Sequence, residues 1–462
     1  MPGRPPTSPI RRVLVANRGE IAVRIIRAAE DLGIETVAVY SKPDAGSAHV
    51  RRATQAVCIG PAAAAQSYLR PELLLHVATA TGCDAVHPGY GFLSEDRRFA
   101  RQVADADLIW IGPPADVIAQ MGDKAAAREA AVRAGVPVVP GSDGVLASSG
   151  AAQAFAQSVG FPLLLKARAG GGGKGMRVVS KPDELPAAFA LASQEAAGAF
   201  GDGGLYGERY LPWVRHVEIQ VFGDRHGQVR HLGERDCSLQ RRHQKVVEEA
   251  PSPAVRPELR ERLGHAAVSL AESVGYVGAG TVEFLLDADT DTFYFIEMNT
   301  RIQVEHALTE EITGVDLVAL QFKVAQGEPL SLPDTTPRGH AFEFRVTAED
   351  WHRNFAPSPG TLRVFEPPTG PGVRVDTHCS SGWVVSPYYD SLLAKLIVHG
   401  TDRFEALRRA KRALAEFQVE GVATTLPLHQ ALLEAPAVVH GDYSTRWLED
   451  WVSANGEEAE TT

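Results

Sequence analysis

Between Thr281 and His306 the chain reads TVEFLLDADTDTFYFIEMNTRIQVEH. Two β-rich runs, Thr281 to Leu286 and a second beginning at Phe293, flank a polar tip of Asp and Thr, the pattern of a hairpin. Side chains of an extended chain alternate faces. That parity puts Glu297, Asn299, Arg301, Gln303 and Glu305 on one side and Met298, Thr300, Ile302 and Val304 on the other, with Glu283 nearly opposite Glu297. The plain reading of such a row is a half-exposed strand with a solvated charged side. The sharper one is a Mg²⁺ site, because Mg²⁺ takes hard oxygen ligands, usually one or two carboxylates plus substrate phosphates. Glu283, Glu297 and Asn299 fit that role. Arg301 and Glu305 then stand just beyond the metal as an anion clamp and a base.

Two other stretches could meet phosphates. Phe161 to Ala167 reads as a buried strand ending near Lys166, followed by AGGGGKGM (Ala169 to Met176) and a further strand, Arg177 to Ser180. A Walker A loop needs Ser or Thr after its Lys and a helix behind it. Here Gly175 follows Lys174 and the loop joins two strands, so the expected shape is a flexible hairpin flap. Its glycines let backbone N–H groups approach phosphate oxygens without Cβ clashes; the plain alternative is a merely floppy hairpin. The run ERDCSLQRRHQK (Glu234 to Lys245) concentrates cations. No aromatics interleave to stack bases, so a phosphate or carboxylate pocket is preferred over a nucleic-acid patch, with a solvated face as the bland alternative. His243 and Lys245 share a side if this part is extended. Cys237 has no base paired with it in the sequence and reads as a structural thiol.

The elements that must position these groups follow from periodicity. Val13 to Val15, a helical pattern from Ile21 to Leu32, and Glu35 to Tyr40 form a βαβ unit. Only Gly19 stands where a dinucleotide fingerprint needs three glycines. Further strands at Cys58 to Gly60, Ala85 to His87 and Leu108 to Ile111 predict an open parallel sheet with helices on both faces, whose strand ends border a crevice. The HPGYG loop (His87 to Gly91) lies after one such strand, as a rigid turn or a ligand loop. A helix is expected over Lys124 to Gly135, and a hinge-like loop over Pro140 to Gly150. An α/β block spans Ala151 to Leu211, and a helix runs near Leu259 to Val274. A Pro-rich boundary at Ser331 to Gly339 precedes an α+β cap (strands Ala341 to Thr347, Gly372 to Asp376, Leu392 to His399; helix Arg403 to Phe417). The N-terminal MPGRPPTSPIRR and the acidic end from Asn455 read as disordered tails.

Bulk properties narrow the class. A chain of 462 residues exceeds one typical core. A formal charge of −11 opposes non-specific binding to nucleic acid or anionic membranes. No segment approaches the roughly 20 apolar residues of a membrane helix. Four unpaired-looking cysteines indicate neither a disulfide framework nor a zinc site, and a reducing cytoplasm is the simplest home.

The stretches HPGYGFLSE (His87 to Glu95), GGGGKGM (Gly170 to Met176), RDCSLQRRHQKVVEEAP (Arg235 to Pro251), EMNTRIQVEH (Glu297 to His306) and YYDSLLAKL (Tyr388 to Leu396) occur in one order across most of the chain. Together they resemble biotin carboxylase. Asp96 stands where Asn is common in that family, and Ala307 where Pro is usual; neither is a proposed ligand. The resemblance implies an α/β and α+β ATP-grasp fold: an N-terminal open parallel sheet domain (1–121), an ATP-grasp domain (122–340) with a mobile lid near 140–210, a C-terminal α+β domain (341–450) and a tail (451–462). It implies that Lys124, Lys166, Gly172 and Gly173 grip ATP. Glu208, Arg209 and Leu211 then read adenine from a hinge strand, and His216, Gln240, His243 and Leu285 complete the pocket. Glu283, Glu297 and Asn299 hold Mg²⁺ or Mn²⁺. Lys245, Arg301, Gln303 and Val304 hold bicarbonate beside the base Glu305, and Tyr90 and Arg345 face biotin.

The implied activity is MgATP- and bicarbonate-dependent carboxylation of biotin through carboxyphosphate, as in acetyl-CoA carboxylase and fatty acid biosynthesis. The implied partners are a biotin carboxyl carrier protein, carboxyltransferase subunits and a second copy in a homodimer. The sequence given holds no Met-Lys-Met carrier motif, so the carrier is expected on another polypeptide or outside the sequence given. Two alternatives stand: another ATP-grasp ligase, making carbamoyl phosphate or joining a carboxylate to an amine, and a non-catalytic nucleotide-binding subunit.

Overall fold

The computed structural model describes residues 9–168 and 175–455. Gly172 and Gly173, expected to grip ATP, lie outside the described residues, as do Lys174 and the end of the chain from residue 456. Near the start, strands β1 (Arg12–Val15), β2 (Glu35–Ser41), β3 (Gln55–Gly60), β4 (Ala85–His87) and β5 (Ile109–Trp110) form a parallel sheet ordered β3-β2-β1-β4-β5. Val13 and Val15 join the core on one face, Leu14 the core on the other. Burial on both faces is why these strands read as unbroken apolar runs. The expected N-terminal tail is shorter than its composition suggests. Ile10 is buried in this core and its N–H donates to Gln326 Oε1 at 2.8 Å, while the Arg11 and Arg12 N–H groups donate to Asp84.

Three strands, β6 (Leu163–Ala167), β7 (Met176–Val179) and β8 (Leu205–Arg209), make a small antiparallel sheet in the order β7-β6-β8. Helices Ser149–Val159 and Leu185–Phe200 cover it and give it a core of its own. The loop expected as a hinge runs along β8. Ser142 N–H donates to Gly207 O and Leu146 N–H to Leu205 O, both at 2.8 Å, and Arg209 N–H returns to Pro140 O. These bonds hold the loop at Pro140, Ser142 and Leu146 against β8.

The largest layer is an eight-stranded sheet. It contains β9 (Arg215–Gly223), β10 (Val229–Arg241), β11 (Gln244–Ala250), β12 (Gly278–Asp287), β13 (Thr292–Asn299) and β14 (His340–Thr347), in the order β13-β12-β9-β10-β11-β14, followed by Leu392–Gly400 and Val373–Thr377. The strands expected in a separate C-terminal cap therefore continue the central sheet through the β11–β14 pairing. The final helix, Trp447–Asn455, runs past residue 450, and Trp451 stacks within it on Trp447. Asp96, one of the two departures from the family pattern, N-caps helix Arg97–Asp105 by accepting from the N–H groups of Arg98 and Phe99.

Candidate active site

The β12–β13 hairpin forms as expected, and Glu283 pairs in register with Glu297. On the other side of β12, Glu218 of β9 pairs with Glu283, and Arg235 of β10 pairs with Glu218. Four neighbouring strands thus carry Glu297, Glu283, Glu218 and Arg235 in one row. Like charges directly opposite each other destabilise a sheet, so the row requires cations. Arg235 is wholly buried and uses all five N–H donors: on Glu218 Oε1 (2.7 Å), Gln220 Oε1 (2.7 Å), Thr309 Oγ1 (2.9 Å), Thr281 Oγ1 (3.2 Å) and Gln303 Oε1 (2.8 Å). With no donor left for a ligand, Arg235 is a structural cation. That corrects the expectation that the basic run as a whole forms an anion pocket.

Lys245 is the second cation. Its Nζ lies 2.6 Å from Glu218 Oε2, 3.2 Å from Glu283 Oε1 and 2.6 Å from Glu305 Oε1. Burial alone would push its pKa down, but the surrounding Glu218, Glu283 and Glu305 carboxylates hold it well above the ordinary lysine value. Its place depends on a bulge. Between Leu239↔Val247 and Gln240↔Lys245, β11 advances two residues while β10 advances one. The extra residue breaks the alternation and lets Lys245 and Glu248 both serve this site. The turn before it overturns another expectation. His243 does not share a strand face with Lys245, because Arg242 and His243 form a two-residue turn with φ of 49° and 64°, and His243 is exposed.

Parity also stops at Asn299. Beyond β13 the chain leaves the sheet and runs as a loop into helix His306–Thr313. Arg301, Gln303 and Glu305 nevertheless converge on the site by side-chain hydrogen bonds. Gln303 Nε2 and Asn299 Nδ2 donate to Glu283 Oε1 at 3.1 and 2.9 Å, and Arg301 Nη2 donates to Asn299 Oδ1 at 2.9 Å. Arg301 Nε also donates to Glu95 Oε2 at 2.9 Å, from the loop after β4, and the Thr300 N–H donates to the other Glu95 oxygen. The Val304 carbonyl accepts from the buried Lys395 at 2.7 Å. Lys395 lies 3.3 Å from Glu20, to which the Tyr90 hydroxyl donates. Glu95 and Lys395 thereby fix the loop from two sides.

Glu305 is buried. Burial pushes its pKa up, but Lys245, Arg345 and Arg235 outweigh this and hold the carboxyl well below its usual range. Arg345 Nη2 donates to Glu305 Oε2 at 3.0 Å and its Nε to Glu248 Oε1 at 2.6 Å. Glu248 is itself pushed up to about 7 by burial and by Glu305, against the pull of Arg345. Glu283 is held far below normal: burial raises it, but Lys245 and His216 prevail, the latter with Nε2 2.9 Å from Oε2. Glu297 is raised by burial and by the charge of Glu283, partly offset by Lys124. A carboxylate pair in register, with one member raised by its neighbour, and an amide oxygen two residues on form a hard-oxygen set suited to a divalent cation.

Apart from His216, which reaches Glu283, the remaining expected residues lie outside this hydrogen-bonded cluster. Lys124 is exposed in the first turn of helix Lys124–Arg133. Lys166 of β6 and Glu208 of β8 pair with each other on the small sheet. Arg209 ends β8, Leu211 follows it, His216 lies opposite Leu285 in the β9–β12 pairing, and Gln240 pairs with Lys245. Cys237 is fully buried and burial holds its thiol well above the ordinary value, so it is a protonated core thiol. Sequence reasoning missed Glu218, Glu248, Glu95 and Lys395 as site residues. Parity from His216 could have found Glu218; no local pattern marks Glu248 or Lys395, whose partners are distant in sequence.

Three known families match successive parts of the chain. Residues 9–118 match the biotin carboxylase N-terminal domain, 123–332 the ATP binding domain of the carbamoyl-phosphate synthase L chain, and 343–450 the biotin carboxylase C-terminal domain. Biotin carboxylase 1 of Bacillus subtilis is 52% identical over 444 residues, covering 96% of this chain and 99% of that protein. The biotin carboxylase domain of a thermophilic 2-oxoglutarate carboxylase bound to bicarbonate superposes with a TM-score of 0.92 at 45% identity, over 96% of this chain and 98% of that one. The dimer of that domain from Hydrogenobacter thermophilus, with MgADP, ADP and bicarbonate, gives 0.87 at 46% identity, covering 96% and 98%.

Proposed function

Since the chain belongs to the biotin carboxylase family of ATP-dependent ligases, with the ATP-grasp fold, we propose that the Glu218–Lys245–Glu283–Glu305–Arg345 cluster is where it carboxylates biotin. The family couples MgATP cleavage to carboxylation of biotin by bicarbonate, with ADP and phosphate as the other products. In this reading Arg301, Gln303, Lys245 and the backbone of Val304 seat bicarbonate, and Glu305 takes its proton. The resulting oxyanion attacks the γ-phosphoryl of ATP. The bond to ADP breaks and carboxyphosphate forms. Its breakdown gives CO₂ and phosphate beside biotin, phosphate accepts the N1 proton, and Arg345, near Tyr90, stabilises the ureido oxygen as N1 attacks CO₂. Glu283, Glu297 and Asn299 would hold Mg²⁺ or Mn²⁺, which when bound neutralises phosphoryl oxygens. Lys124 and Lys166, with Gly172 and Gly173, would grip the phosphates. Glu208, Arg209, Leu211, His216, Gln240, His243 and Leu285 would line the nucleoside.

A carboxylate held as low as Glu305 is a weak base while Lys245 and Arg345 both rest on it. When Lys245 turns to bicarbonate and Arg345 to biotin, Glu305 loses part of that stabilisation and its proton affinity rises. Base strength is thus released by substrate binding, which places the proton transfer where it is used. The sharing of two cations by one buried carboxylate is the observation that carries this reading.

The domain limits proposed are 1–121, 122–340 with a lid near 140–210, and 341–450. The partners proposed are a biotinylated carrier protein, carboxyltransferase subunits of the acetyl-CoA carboxylase type serving fatty acid biosynthesis, and a second copy of this chain. A cytoplasmic location is proposed; none of the described helices is long and apolar enough to cross a membrane. The test is ADP release from MgATP with bicarbonate, with and without free biotin. The reading expects ADP formation that needs bicarbonate and is stimulated by biotin; formation indifferent to both would refute it.

A further inference from the structure

The turn that carries His243 is held from a region outside the ATP-binding match. Arg242 and His243 sit at φ of 49° and 64°, the left-handed region that side chains with a Cβ enter at a cost. Two-residue hairpin turns need this backbone, and Asn-Gly or Gly-Gly pairs usually supply it. Here an arginine and a histidine do. Against them lies a second left-handed pair, Asn354 and Phe355, at 57° and 59°. The two strained turns grip each other. Arg241 and Arg242 both donate to Asn354 Oδ1, the latter at 3.4 Å, and the Arg241 guanidinium lies 4.3 Å over the Phe355 ring. From a third side, Glu449 Oε1 accepts the Arg242 backbone N–H at 2.7 Å.

These holding groups belong to one packed unit. Asn354 directly follows the Trp351–Arg353 turn, and Glu449 lies on helix Trp447–Asn455. Trp351 stacks on Trp451 at 6.3 Å between centroids, and Trp451 on Trp447 at 5.9 Å. Half of the six tryptophans in the chain are spent on this stack, a large apolar investment for a turn at the surface. The same end of the chain holds a second wall. Thr445 N–H donates to Val214 O at 2.9 Å and Arg446 Nη1 to Tyr210 Oη at 3.0 Å, between Leu211 and His216 and just before them.

We propose that Glu449 is a positioning residue for nucleotide binding: with Asn354 and the tryptophan stack behind them, it locks the Arg242–His243 turn so that His243 meets the nucleotide. The proposal rests on the reading of His243 as a nucleotide contact. Glu449 itself touches no reacting atom and acts only through the turn.

Steady-state ADP release and amide hydrogen exchange over Gln240–Lys245, both on the full chain, test it. Losing one charge-assisted hydrogen bond at an exposed turn corresponds to about a fivefold to tenfold change in affinity. Glu449→Ala is therefore expected to raise KM for ATP by about that factor, to leave kcat within about twofold, and to speed exchange at the Arg242 amide. Glu449→Gln keeps the acceptor oxygen and is expected to restore both. An unchanged KM in Glu449→Ala overturns the proposal. So does a Gln variant as impaired as the Ala variant, or a loss of kcat in step with a lowered thermal midpoint. His243→Ala separates the two readings. If it leaves KM unaltered, the nucleotide role of His243 has failed and the proposal falls with it. If it raises KM while Glu449→Ala does not, only the positioning has failed.

Discussion

On the small sheet, Lys166 and Glu208 pair with 34% and 26% of their side chains exposed, and no second charge of the described residues joins them within ion-pair distance. On the large sheet, Lys245 is 12% exposed and holds three carboxylates that are nearly or wholly buried. The first pair can open to water cheaply when a lid moves. The second cluster cannot, because each buried charge is satisfied only by the others. In the proposed reading, the movable grip on ATP belongs to the small sheet and the charge-bearing chemistry to the large one.

The contrast predicts which substitutions hurt most. Glu305→Gln keeps an acceptor for Lys245 but removes the base. It is expected to lower bicarbonate-dependent ATP cleavage by about 10²- to 10⁴-fold, and near-normal turnover would remove Glu305 from that role. Lys245→Met leaves the Glu218, Glu283 and Glu305 carboxylates without their shared cation. Denaturant unfolding is expected to show a loss of about 3–5 kcal/mol, whereas a small loss would mean the cluster is more open to water than its geometry suggests. Arg345→Ala should cut biotin carboxylation by about 10²- to 10³-fold while leaving nucleotide binding intact; an equal loss of both would count against its place beside biotin.

The residues of the site differ in how far the sequence disclosed them. Glu283, Glu297 and Asn299 were legible because a hairpin with a short polar tip enforces its own register. Arg301 and Glu305 reached the site by another route than parity supplies, since the chain leaves the sheet after Asn299 and it is hydrogen bonds to Glu95, Asn299 and Lys245 that gather them. Glu248 was obscured by the β11 bulge, and the setting of His243 relative to Lys245 by a left-handed turn that neither Arg nor His advertises. The joining of the C-terminal strands to the central sheet depends on β11 meeting β14 across some ninety residues. Alternation within a strand says which face is buried, not which strand lies beside it.

Two smaller effects sharpen the contrast. Glu249 faces away from the site, where it accepts from His340, Arg403 and Tyr443. Burial pushes its carboxyl up, but those bonds hold it down at about 2 against an ordinary 4.5. A pKa depressed by folding gives stability that is present above the unfolded value and lost as pH falls toward the folded one. Stability of the wild-type chain should therefore decline from about pH 4.5 to 2 more steeply than that of Glu249→Gln, which begins lower; parallel acid limbs would contradict this. On the small sheet, Glu208→Gln should change unfolding stability by no more than about 1 kcal/mol, while weakening ATP binding. A stability loss as large as that of Lys245→Met would erase the distinction between the two layers.

The central claim is that carboxylates aligned across neighbouring strands receive the metal of MgATP. A crystal structure with MgATP and bicarbonate measures it most directly. The divalent ion should lie between Glu283 and Glu297 with Asn299 at hand, and bicarbonate against Arg301 and Lys245. An ion bound elsewhere, with Glu283 and Glu297 turned away from it, would contradict the account.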